Sequence, residues 1–374
     1  MKHPHSNVVQ PARLLMSLGA ALLCFVVSSG ALPAQQRKMG LKPGNWQKRH
    51  CPPGWLLYHS KHYQIQSQVG LEKAKRLAAH MEGMNRIYRK LFPPGKGSTK
   101  RFAVKLLKDR QTFLAYGQVP QAAAYYSKTD RELVLYDTGK WSDRPEAAIT
   151  GDKEPRTMEE EFERLRKRGA MDILGVAAHE GWHQYFHWYV TSWIELPSWI
   201  NEGMGDYFYT VHPAQVGRKV QGLLGSINAT RFPTILDAVV HNKHVPIKKL
   251  IRYLQSDYYA NAGLCYAEGW SLCYFLLHSK NKAYNKIVPK FIKRFKDRGN
   301  WKKNTDLVFK RIDLDKLEAD WKAWILKLKP DAKNGRDKLL QDLLRRLRAR
   351  KKAKKRAKPD PTAPKGSERH DVSR

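Results

Sequence analysis

Residues 171–190 read MDILGVAAHEGWHQYFHWYV, a run apolar enough for a buried helix yet holding two histidines four residues apart with a glutamate between them. Burying such groups costs free energy unless each finds a partner, so the fold must satisfy His179, Glu180 and His183. On a helix, His179 and His183 leave the same face one turn apart. Both imidazoles can then reach a single ion at about 2.0–2.1 Å. A satisfied pair of core histidines is the competing arrangement.

The next segment weighs toward the ion. In LPSWINEGMGDYF (196–208), Pro197 and Ser198 suit a second helix start, which puts Glu202 in its first turns, 18 residues separating it from His183. Two histidines and a carboxylate leave a fourth position open to water, the pattern of a catalytic rather than a structural zinc site. Asp206, one turn beyond Glu202, is placed to accept the second ring proton of a ligating histidine. His187 lies one turn past His183, but helical drift carries it off that face, so its expected role is structural.

Around this segment the chain divides by pattern. HYQIQSQ (62–68) and RFAVKLL (101–107) read as strands, and AAAYYS with ELVLYDT flank the turn KTD as a hairpin. Residues 71–92 carry apolar side chains at helical spacing. The expectation for 61–140 is therefore an α/β lobe built on one mainly antiparallel sheet, after an irregular lead-in at 35–60. Thr157 and Glu160 form a capping box for a helix, and 157–330 reads as helical almost throughout. Strands first and helices afterwards predict an α+β architecture.

With these segments laid out, the chain resembles the gluzincins, or peptidase MA-like metallopeptidases, whose HExxH motif is followed by a glutamate in an NEG-type helix. The spacing and the WINEG wording are similar to the aminopeptidase branch, and the layout from 60 to 328 is similar to uncharacterised secreted bacterial members of that superfamily. The resemblance implies a zincin-like fold for 61–330, with His179, His183 and Glu202 as zinc ligands and Glu180 as general base. YAEGWSLCYFLL (266–277) resembles the aminopeptidase segment YxKGxxLLxxL, which assigns Tyr266 to stabilising the oxyanion. A core tyrosine is the alternative. The GxMEN strand by which those aminopeptidases recognise a free amino terminus has no counterpart here, so their specificity does not carry over. The hairpin could still offer an edge to an extended peptide.

The ends of the chain speak to location and partners. Lys2 and Arg13 precede the apolar run LLMSLGAALLCFVVSSGA, and small residues follow, so 1–34 reads as a cleaved export signal rather than a membrane anchor. Export and a secreted or cell-envelope location are expected. Cys51, Cys265 and Cys273 would remain. The last two lie eight residues apart on one helix, too far to bridge each other, so at most one disulfide forms, through Cys51. The formal net charge is +35, and residues 331–374 hold 16 basic against 6 acidic side chains. Such a balance favours polyanions: wall polymers, lipid head groups or extracellular nucleic acid. His241 and His244, in a polar connection, are expected to face solvent. The NAT sequence at Asn228 is read as an accidental glycosylation pattern. The expected activity is zinc-dependent hydrolysis of peptide bonds. A hydrolase of another amide and a non-catalytic polyanion-binding protein are the rivals, and the intact Glu180 argues against the last.

Overall fold

The computed structural model describes residues 53–94, 101–117, 122–141, 172–190, 196–213, 227–228, 230–295 and 300–328. The expected export signal, Cys51, the expected capping box at Thr157 and Glu160, and the basic tail lie outside the described residues. Strands β1 (Leu56–His59) and β2 (Tyr63–Ser67) pair antiparallel, and helix α1 (Leu71–Leu91) carries the chain over to β3 (Phe102–Leu107). Helix α2 (Arg110–Gly117) then leads to the hairpin of β4 (Ala124–Ser127) and β5 (Glu132–Tyr136). The strand order is β1-β2-β3-β5-β4.

This corrects the expectation of a mainly antiparallel sheet. β2 with β3 and β3 with β5 are parallel, because the crossover α1 returns the chain before β3, and α2 with the antiparallel β4 returns it again before β5. The lead-in also ends earlier than residue 60, since Leu56–His59 already pairs with β2.

Alternation along β3 and β5 sorts their side chains between two faces. Val104, Leu106, Leu133 and Leu135 point into the main core, while Leu107 and Val134 meet Phe113 and Tyr116 of α2 on the other side. Lys105 and Glu132 are both buried and form an ion pair, and the Tyr116 hydroxyl donates to Glu132 Oε1 at 2.7 Å. Burial pushes the Lys105 ammonium below its usual range, against the opposing pull of Glu132.

Helices make up the rest: α3 (Ile173–Tyr185) running into a π-helical turn (Phe186–Val190), then α4 (Ser198–Tyr209), α5 (Phe232–Val240), α6 (Ile247–Leu250) and α7 (Gln255–Ala260). α8 (Ala262–His278), α9 (Ile287–Phe295), α10 (Trp301–Phe309) and α11 (Leu314–Lys327) follow. The chain is α+β, with its mixed sheet first and its helices after. Among the described residues no helix is long and apolar enough to cross a membrane.

Helix α1 buries Ala74, Leu77, Ala78, Met81 and Met84, the stripe that its spacing announces. Tyr88 of α1 donates from its hydroxyl to Ala178 O of α3 at 2.5 Å, and its ring meets Phe208 of α4 edge-on at 4.8 Å. α3 is thereby held against the sheet lobe on one side and α4 on the other. α4 in turn crosses α8 at a glycine pair. A Cβ on Gly203 would stand 2.4 Å from Gly269 O, and one on Gly269 would stand 2.8 Å from Trp199 O. Only hydrogen fits at that crossing.

Cys265 and Cys273 on α8 are free, buried thiols, and burial pushes Cys265 up to about 12. The exposure expected for the histidine pair holds for His241 alone. The His244 side chain is 5 % exposed, with Nε2 bonded to Glu318 Oε1 at 3.0 Å. Its loop lies against α11, where Glu318 also accepts from Ile247 N at 2.7 Å.

Candidate metal centre

Asp172 caps α3 by accepting from Leu174 N, and the helix holds His179, Glu180 and His183 on its buried length. Pro197 O accepts the first hydrogen bonds of α4, from Ile200 N and Asn201 N. That start sets Glu202 in the second turn, facing α3. The ligand-type atoms of His179, Glu180 and His183 all lie within 4.8 Å of one another, and all three residues are buried. Glu202 comes closer still to both histidines, with its Oε2 at 3.3 Å from His179 Nε2 and 3.5 Å from His183 Nε2.

The other nitrogen of each ring is held. His179 Nδ1 lies 3.1 Å from Asp206 Oδ1, and His183 Nδ1 lies 3.1 Å from Asn201 Oδ1. Donating from Nδ1 to these acceptors leaves each Nε2 with a lone pair, and both lone pairs aim at the same carboxylate oxygen. His183 Nε2 is buried with no hydrogen-bond partner. Three acceptors converging in a buried site repel one another unless a cation or a proton lies among them. Tetrahedral zinc bonded at 2.0–2.1 Å separates its ligand atoms by about 3.3–3.4 Å, close to the observed spacing. The donor set fits a divalent metal.

Glu202 is oriented by two donors to its other oxygen. Oε1 accepts from the Tyr259 hydroxyl at 3.1 Å and from Asn201 Nδ2 at 3.3 Å, so Oε2 alone is turned toward the histidines. Burial works against the charge of Glu202, and when His183 and His179 carry protons on Nε2 their charge and hydrogen bonds outweigh burial and hold the carboxyl well below its usual range. Asp206 follows the same pattern: burial opposes its charge, and the Arg231 guanidinium, with His179, holds the carboxyl low. Arg231 Nε donates to Asp206 Oδ2 at 2.6 Å. Gly205 completes the fit, because a Cβ there would stand 2.6 Å from His179 Nε2.

The remaining sequence-derived residues fall around this centre. Tyr266 is fully buried, with the Arg231 guanidinium 4.8 Å over its ring and the Tyr259 ring 6.2 Å away. His187, in the π-helical turn, bonds through Nδ1 to the Tyr126 hydroxyl at 2.9 Å, tying α3 to edge strand β4. Asn228 is 2 % exposed and donates from Nδ2 to Asp206 O, which is structural work for the residue of the NAT pattern. Sequence reasoning missed Asn201, Arg231 and Tyr259. Asn201 carried a signal, being the neighbour of Glu202 in WINEG. Arg231 and Tyr259 carried none.

Residues 173–295 match a family described as "Protein of unknown function (DUF1570)". The match begins with α3 and spans every site residue named above. Among curated proteins the chain has no match.

Proposed function

We propose that the chain is an exported, zinc-dependent metallopeptidase of gluzincin type on a zincin-like fold, hydrolysing peptide bonds. One observation carries the reading: both Nε2 atoms aim at Glu202 Oε2 while both Nδ1 atoms are held by side-chain acceptors. His179, His183 and Glu202 would hold the ion, with Asp206 orienting His179. Zinc bound there supplies Lewis acidity, bringing the pKa of water toward about 7 and polarising the scissile carbonyl.

The chain's own residues do the rest. Glu180 takes the proton of the attacking water and delivers it to the leaving amine. Asn201 and Tyr259 keep Glu202 turned so that a single oxygen serves the metal. Tyr266 is assigned the developing oxyanion. The substrate is an extended peptide aligned on β4, the end strand of the sheet among the described residues, which packs beside α3. The basic tail attaches the enzyme to polyanions of the cell envelope.

Metal analysis beside a peptide-cleavage assay tests the core of this reading. The mature protein should carry about one zinc per chain, and His183→Ala should lose most of it. Glu180→Gln should keep its zinc and fold yet lose turnover by about 10²-fold or more. A metal-free wild-type protein from a zinc-replete preparation would overturn the proposal.

A further inference from the structure

The helical lobe carries a charged segment of its own. Residues 280–311 hold 12 basic side chains against 2 acidic ones, the same net excess as the longer tail. Helical spacing sorts them. α9 buries Ile287, Val288, Phe291, Ile292 and Phe295, which leaves Lys290, Lys293 and Arg294 exposed on its outer side. Lys286 extends this row by a turn, since its carbonyl accepts from Lys290 N at 3.0 Å, and the row runs for about 12 Å. α10 repeats the arrangement, burying Asn304, Thr305, Val308 and Phe309 and exposing Lys302, Lys303, Leu307 and, just past its end, Lys310 and Arg311. The two helices pack on each other, and their inner faces rest on one residue. Phe291 of α9 and Phe309 of α10 meet the Trp199 ring with centroids at 5.8 and 6.3 Å, so the two outer faces form one surface.

Acidic groups do not cancel this surface. Among the described residues of the segment Asp306 is the sole acid, and Arg252 holds it at 2.8 Å. Asp297 lies outside the described residues. Asp313, just beyond, turns its carboxylate to the first turn of α11, accepting from Asp315 N and Lys316 N. One side chain indicates the kind of partner. Leu307 is 40 % exposed, and Lys303, Lys310 and Arg311 lie about one turn from it on the same face. A soluble polyanion engages such cations by charge and has no apolar phase to receive a leucine. An anionic bilayer offers both, head groups to the charged ends and acyl chain to the apolar side chain between them. The stems of lysine and arginine suit that boundary, lying along apolar surface while the charge stays in water.

We propose that α9 and α10 form a docking face for an anionic lipid surface, with their cations among the head groups and Leu307 at the acyl boundary. The face contains none of the proposed metal ligands and is separate from the tail. Sedimentation of the full chain with phosphatidylcholine vesicles, with and without about one-third phosphatidylglycerol, tests it. Wild type should bind the anionic vesicles and leave the neutral ones. Lys290→Gln/Lys293→Gln/Arg294→Gln should weaken that binding by about 100-fold, at about fivefold for each cation. Lys61→Gln/Lys108→Gln/Lys243→Gln removes the same charge from exposed positions on other elements, and should weaken it by less than about threefold because those charges are screened from the bilayer. Leu307→Ser should weaken vesicle binding by about threefold or more and leave heparin affinity unchanged. The proposal fails if wild type does not distinguish the two kinds of vesicle, or if the scattered triple variant loses as much as the α9 variant, which would make net charge the cause. It fails equally if Leu307→Ser binds vesicles as wild type does while the α9 variant loses heparin as well, which would assign the face to a soluble polyanion.

Discussion

Two phenols near the centre, Tyr259 bonded to Glu202 Oε1 and Tyr266 buried beside Arg231, are expected to differ. Tyr266→Phe should cost about 10²–10³ in kcat with zinc retained, the signature of a lost oxyanion donor. Tyr259→Phe removes one of two donors to Glu202 Oε1 and should show first as weaker zinc retention against a chelator. The reverse outcome would move the oxyanion role to the partly buried Tyr259. A third residue governs pH dependence away from the metal. Glu268 is fully buried on α8, and burial pushes its carboxyl up to about 8, against the bond from Val245 N and with the aid of the Glu318 charge. The folded chain holds this proton where the unfolded chain, with a value near 4.5, has released it. The stability it contributes is complete below the unfolded value and is lost as pH rises toward 8. Glu268→Gln should therefore flatten the decline in Tm between about pH 5 and about pH 9; an unchanged decline would assign the dependence elsewhere. At this scale the sequence was most informative where partners are close along the chain. His179, His183 and Asp206 follow from helical spacing, and Glu202 from the wording around it. The bonds of Arg231 to Asp206 and Tyr259 to Glu202 span 25 and 57 positions, and no local pattern announces contacts of that reach.

Among the elements, the crossing of α4 and α8 positions Glu202 against the rest of the helical lobe. Gly203→Ala places a methyl 2.4 Å from a backbone oxygen, which cannot turn aside as a flexible side chain would. The helices must separate, at a cost of about 1–3 kcal/mol, and zinc retention should fall because Glu202 is the adjoining residue. Gly263→Ala, on the same α8 but with open space around it, should instead stabilise by about 0.5–1 kcal/mol. Denaturant melts of the two variants check this, and a Gly203→Ala protein as stable as wild type would mean that the crossing is looser than its geometry. Both glycines of the crossing sit inside motif-like segments, NEG and AEGW, but the wording pointed to Glu202 and Tyr266, and the packing role of the glycines is visible only as contact. Strand direction was not. The patterns of β2, β3 and β5 identify strands but carry no sign of which neighbour each will take, and α1 sets the parallel pairing of β2 with β3 only by returning the chain. The strand β1 and the helix α2 are too short for their periodicity to stand out from the lead-in and the turn around them.

For the molecule as a whole, charge and chemistry are expected to separate. The tail contributes none of the site residues, so a chain ending at Pro330 should keep its zinc and its turnover on a short neutral peptide. It should bind heparin more weakly than the full chain and with a shallower dependence on salt, since fewer counterions are released. Loss of zinc or turnover on truncation, with heparin affinity intact, would make the tail part of the fold. The sheet has a further consequence. β4 is only four residues long and stands at the end of the strand order, tied to α3 through Tyr126 and His187. A guest laid along it would be gripped by the amides and carbonyls that every polypeptide shares, over roughly 13 Å of chain. On the proposed function, such an enzyme sorts its substrates by shape before identity: loose, frayed or unfolded chain is admitted, and the same residues locked in a helix or a tight domain are passed over.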